Sequence, residues 1–92
     1  MSEYIEIDSE PSDDNQVMYI YTNLRLTDQT LEQYGGTAEM EEGSALANAL
    51  AVVEGIETMV IEGGDLILTK EADAEWHSIV GDVTAVIKDF FL

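Results

Sequence analysis

The stretch IETMVIEGGDLILTK (Ile56–Lys70) decides the fold. Two apolar, β-rich runs flank Gly63-Gly64, and a glycine pair at a bend admits the positive φ that a tight hairpin requires. Glycines followed by an aspartate also raise the question of a phosphate loop. Such a loop needs GxGxxG, or GxxxxGK[ST], between a strand and a helix. Here the pair leads into a second strand, and no lysine or hydroxyl stands where phosphate and magnesium would need it. The stretch reads as a β-hairpin.

Working toward the C-terminus, Asp73 is a plausible helix N-cap, with Glu75 in a first turn that favours negative charge. Trp76, Ile79, Val80, Val83, Val86, Ile87 and Phe90 then trace one apolar stripe, the spacing of a helix laid on a core. Gly81 interrupts it, and close approach to a sheet is the ordinary reason to keep a glycine there. Upstream of the hairpin, Ser44 can cap ALANALAVV (Ala45–Val53), in which Leu46, Ala49, Leu50 and Val53 share one side. Gly55 supplies a left-handed residue to end that helix.

Further upstream the signals thin. TLEQY (Thr30–Tyr34) is a short, edge-type strand; Gly35-Gly36 breaks the chain, and Glu39, Glu41 and Glu42 read as solvated. VMYIYT (Val17–Thr22) is rich in β-branched and aromatic residues. Both its faces are apolar, which predicts a central strand. SEPSDDN (Ser9–Asn15) gathers turn formers and reads as a loop, and YIEI (Tyr4–Ile7) alternates weakly as a first strand. The order ββ(β)αββα is α+β: an antiparallel sheet of about four strands with two helices packed against it.

Ninety-two residues make one domain, residues 1–92. The apolar share of 46% is enough for a packed core, which argues against wholesale disorder. No apolar run approaches the roughly 20 residues needed to span a bilayer. The acidic N-terminus lacks the basic-then-apolar order of a signal peptide, so the expectation is a cytoplasmic protein. There is no cysteine, which excludes thiolate nucleophiles, zinc fingers and cysteine-held clusters within these residues.

Charge is the strongest global feature. Twenty acidic residues face three basic ones, Arg25, Lys70 and Lys88, for a formal charge of −17. Such a surface repels nucleic acids and anionic membranes, whose binding depends on basic side chains. The acids are spread along the chain rather than gathered in one tail. That distribution favours adaptation to a saline, halophilic cytoplasm over an acidic face built for one basic partner.

No constellation points to chemistry. Asp73, His77 and Ser78 do not form a hydrolytic triad, because adjacent helical residues point in different directions. Calcium loops begun at Asp8 or Asp13 lack the central glycine and closing glutamate. Acid pairs such as Asp13-Asp14 and Glu41-Glu42 read as solvated surface. Tyr4, Tyr19, Tyr21 and Tyr34 suit sheet packing better than base stacking, since little positive charge is present to hold a backbone. The expectation is no catalytic residue, no metal and no cofactor.

Several pieces together carry a resemblance: SALA (Ser44–Ala47), Gly55-Ile56, LILTK (Leu66–Lys70), DAEW (Asp73–Trp76) and Phe90-Phe91. In this order and spacing, Ser44–Phe91 resembles the N-terminal domain of Nfu/NifU-type iron–sulfur scaffold proteins. That family's S-P-L-A helix start has Ala45 here in place of proline. Its T-P-N-P-N-x-x-K-F signature is similar to EPSDDNQVMY (Glu10–Tyr19) with one extra residue. Pro11 and Asn15 remain, Met18 stands where lysine is usual, and Tyr19 replaces phenylalanine.

The resemblance implies an α+β domain with a place in iron–sulfur cluster biogenesis. In the family a separate C-terminal domain with a Cys-x-x-Cys motif carries the cluster. This chain therefore reads as a stand-alone, non-catalytic interaction module whose partner is an iron–sulfur carrier or an apo-target. Loop accessibility nominates Pro11, Asn15, Gly63, Gly64 and Asp65 as partner-binding residues. The alternative is a general peptide-binding module that adds a partner strand to a sheet edge.

Overall fold

A computed structural model describes residues 5–91. The elements in chain order are β1 (Ile7–Pro11), β2 (Val17–Thr22), β3 (Glu32–Tyr34), α1 (Thr37–Glu41), α2 (Ala45–Leu50), β4 (Ile56–Glu62), β5 (Asp65–Lys70) and α3 (Trp76–Phe91). The five strands form one sheet, ordered β1-β2-β5-β4-β3, in which every neighbouring pair is antiparallel. The architecture is α+β, with one more strand and one more helix than the minimum expected.

The hairpin is as read. β4 and β5 pair through Glu62↔Asp65, leaving Gly63-Gly64 as the two-residue loop. Gly63 has φ +61°, and a positive φ at the first central residue alone is the signature of a type II′ turn. Gly64 is required for space instead: a Cβ there would lie 2.6 Å from the Leu24 carbonyl oxygen.

The pleat sorts the sheet into two unlike faces. Met18, Ile20, Met59, Ile61, Leu66 and Leu68 point to one side and are buried. They share a single core cluster with Leu46, Ala47, Leu50 and Val53 around α2 and with Trp76, Ile79, Val83 and Ile87 of α3. The helices cover that face. On the other face Val17, Tyr19, Val60 and Ile67 are only half-buried, and they stand outside the core cluster.

Four local features differ from the sequence expectation. Tyr4 lies outside the described residues, and the first strand starts only at Ile7, taking in part of the expected loop. Its residues IDSEP are poor strand formers; pairing from Ile7↔Thr22 to Pro11↔Met18 overrides local preference. Proline is tolerated there because β1 is an edge strand. The short helix α1 follows Gly35-Gly36 and is anchored by fully buried Met40, while Glu39, Glu41 and Glu42 are exposed as expected.

The other two differences concern α3. Its first turn closes on Glu75, whose carbonyl accepts from the Ile79 amide at 3.2 Å; Asp73 sits in the preceding turn. Gly81 faces open space, with nothing within 4 Å of an added Cβ, so close packing does not explain it.

Candidate functional site

The five nominated residues fall at two ends of the sheet. Pro11 ends β1, paired with Met18, and Asn15 lies in the following β1–β2 turn, beside Val17; Gly63, Gly64 and Asp65 lie at the β4–β5 tip, where Asp65 pairs with Tyr21 at the far end of β2. The strand between them separates the groups by about 14 Å, at roughly 3.4 Å per residue. They are two surfaces.

Both turns are held by the fold. In the first, Ser12 Oγ donates to Asp14 Oδ1 at 2.7 Å, and the Gln16 amide donates to the same oxygen at 3.1 Å. Those bonds, Ser12 first, hold the Asp14 carboxyl below its ordinary pKa. Asn15 adopts φ +63°, a conformation asparagine tolerates better than most residues. Its carbonyl accepts from Trp76 Nε1 at 2.7 Å. One hydrogen bond thus joins the turn's Asn15 to the tryptophan of DAEW, two motif residues 61 positions apart. In the second turn, the Gly63 carbonyl accepts from the Leu26 amide at 2.8 Å, and the Gly64 carbonyl accepts from both the amide and the hydroxyl of Thr22.

One polar centre was missed by sequence reasoning. Glu32 is 5% exposed, on the core side of edge strand β3. Its carboxylate accepts a hydrogen bond from the Tyr34 hydroxyl, and the polar side chains of Ser44 and Thr27 favour its charged form. Burial pushes its pKa up, and the neighbouring hydroxyls of Ser44, Thr27 and Tyr34 outweigh burial, so it lies below the ordinary 4.5. Tyr34 Oη in turn accepts from the Ser44 amide at 3.2 Å, and Ser44 Oγ caps α2 by accepting from the Ala47 amide at 3.3 Å. The network ties β3 to the start of α2. Its detectable signal is the alternation in EQY, which puts Glu32 on the same face as Tyr34.

Beside this network lies a cleft of about 270 Å³, walled by Leu26, Leu46, Phe90 and Phe91 with Glu32 and Ser44 among its lining. Phe90 and Phe91 are 43% and 37% exposed and meet edge to face, with ring centroids 5.1 Å apart. His77 is exposed on α3 and borders a shallow groove with Ser9, Met18, Trp76, Val80 and Gly81, none of which is a carboxylate. Among the described residues, no three His, Asp or Glu side chains gather as metal ligands. No helix of the described residues is long and apolar enough to cross a membrane.

The exposed sheet face has its own character. Tyr21, 41% exposed, has its phenol pushed to higher pKa by desolvation and by the charges of Glu10 and Asp65. Carboxylates therefore stand close around an aromatic, apolar strip.

Residues 7–92 match the family described as scaffold protein Nfu/NifU N terminal. The chain belongs to this family. The Nfu N-terminal fold is also recognisable in solved structures. A NifU-like protein from Saccharomyces cerevisiae superposes with TM-score 0.76 at 16% identity, over 97% of this chain and 82% of that one. Protein SAV1430 from Staphylococcus aureus superposes with TM-score 0.71 at 22% identity, over 89% of this chain and 98% of that one. At such identities the likeness is one of fold. Among curated proteins, none matches this sequence.

Proposed function

We propose that this Nfu N-terminal domain is a non-catalytic interaction module that serves iron–sulfur cluster assembly or delivery by binding a protein partner in a salt-rich cytoplasm. The observation that carries the reading is a match to a scaffold family across residues 7–92 in a sequence without a single cysteine. Family membership supplies the cluster context. The lack of thiolates assigns cluster ligation to another polypeptide or domain, leaving contact as this domain's contribution. The end of β1 at Pro11, the turn holding Asn15 and the tip at Gly63, Gly64 and Asp65 are braced from within, which suits surfaces presented without rearrangement.

Salt adaptation is supported by the charge ledger. With twenty acids against three bases, the described residues hold one ion pair, Arg25–Asp28, at 3.7 Å between two well-exposed side chains. Strand addition at a sheet edge is the weaker alternative. The longer edge, β1, carries Asp8, Glu10 and Pro11, residues that blunt edges against pairing.

The test is affinity capture in molar KCl, followed by visible absorbance of the domain mixed with iron and sulfide, alone and with a captured cysteine-bearing carrier. The expected result is colour only with the carrier and altered transfer when the domain is present. A domain that assembles a stable chromophore alone, or that recovers no carrier or cluster-requiring protein, refutes the proposal.

A further inference from the structure

The uncovered face of the sheet is unusual in so acidic a molecule. Across β2, β5 and β4, registers Tyr19↔Ile67 and Ile67↔Val60 set three apolar side chains in a row, with Val17 and Tyr21 to either side of Tyr19. The strip spans three strands, about 10 Å across, and about 14 Å along β2. Carboxylates line two of its borders. Asp8 and Glu10 of β1 share this face, opposite Tyr21 and Tyr19. Asp65 and Glu62 close the hairpin end. The other two borders are neutral, with Gln33 opposite Val60 and the pair Thr58–Thr69. No lysine or arginine lies on this face of the strands.

We infer that this face docks one amphipathic helix of a partner protein, whose leucine-like stripe covers Tyr19, Ile67 and Val60 and whose lysines or arginines meet the carboxylates of β1 and the hairpin end. A helix is the element that ordinarily covers a sheet face, and its diameter of about 10–12 Å matches the strip. About nine residues, or two and a half turns, span its length. The one-sided placement of the acids sets the helix's orientation, because complementary charge fixes register more than it adds affinity. A second copy of this chain is a poor occupant: its own face would bring a matching set of carboxylates and no cation. Nucleic acid and anionic lipid lack the positive charge they need here. The inference stands apart from the cluster-assembly reading, since it concerns what fits this face whatever the partner's role.

The experiment uses a basic helical peptide of about 14 residues, with leucines on one face flanked by lysine and arginine, and a scrambled peptide of the same composition. Each is titrated into isotope-labelled domain in 0.15 M and in 1 M KCl while amide shifts are followed. The amphipathic peptide is expected to shift Tyr19, Tyr21, Val60 and Ile67 and to bind about tenfold tighter than the scramble. Tyr21→Ser with Val60→Thr is expected to remove that advantage and leave scramble binding unchanged. Glu10→Gln with Glu62→Gln is expected to weaken the amphipathic peptide more than Glu41→Gln with Glu42→Gln, an equal change of charge elsewhere.

Equal binding of the two peptides, equal effects of the two charge pairs, or shifts centred on the helices overturn the inference. So does a concentration-dependent dimer that Val60→Thr abolishes, which would make a second copy the occupant. If the tyrosine–valine variant fails to fold, the shift map on the native domain and the two charge pairs still decide.

Discussion

Replacing Glu32 by glutamine tests the buried network most directly. Glutamine keeps the shape and one acceptor oxygen but turns the other oxygen into a donor. The Tyr34 hydroxyl then meets a neutral amide in place of a carboxylate, and the charge that the Ser44 and Thr27 side chains favour is gone. A hydrogen bond to a charged group is worth about 1.5–3 kcal/mol net. A loss of about 2 kcal/mol in a domain of this size corresponds to a fall in Tm of about 8–16 °C. The pH dependence follows from the direction of the shift. The Glu32 pKa is lower in the folded state than its ordinary 4.5, so its stabilisation is fully present above that value and is lost as pH falls through the folded pKa. Below it, the protonated acid resembles the amide, and the two proteins should converge. Far-UV circular dichroism melts of wild type and variant from pH 7 to pH 3, all in 1 M KCl to damp the remaining carboxylates, read the difference. A double-mutant cycle with Tyr34→Phe should return a coupling of about 1 kcal/mol or more. Indistinguishable melts at pH 7, or a gap that widens toward acid, would refute the assignment of Glu32 as an ionised, hydrogen-bonded acceptor.

Gly64→Ala should cost about 1–3 kcal/mol in denaturant titrations, because its Cβ meets the Leu24 carbonyl oxygen at 2.6 Å, a backbone atom that cannot yield cheaply. Gly81→Ala should do the opposite, gaining up to about 1 kcal/mol, since an added methyl there meets open space within a helix. Trp76→Phe keeps most of the ring but leaves the Asn15 carbonyl without its indole donor, a loss of about 1 kcal/mol visible as a lower chemical-denaturation midpoint. Raising KCl from dilute to molar should increase Tm, because the Debye length shrinks from about 10 Å at 0.1 M to about 3 Å at 1 M and damps the mutual repulsion of the acids; a flat or falling Tm would remove salt adaptation.

Periodicity and turn chemistry made the hairpin, α2 and α3 legible. Each has a strong local pattern: Gly63-Gly64 between β-rich runs, Ser44 before ALANAL, and an apolar stripe from Trp76 to Ile87. The family resemblance rested on the same segments. The misread elements are those whose reason for existing is distant. β1 forms because β2 offers a partner, and α1 because Met40 has a core to enter. The candidate surfaces were legible only as exposed turns; their separation along the sheet required the strand register.

The sequence by itself determined the fold class, the acidic surface and the absence of thiolate chemistry, because these depend on local spacing and on composition. The tertiary structure alone decided which acid is buried and which apolar residues are left open. Alternation shows that β2 has two apolar faces, but nothing local says which face the helices cover. Likewise Glu32 differs from the solvated acids around it only through Tyr34, Ser44 and Thr27, which folding brings to its carboxylate.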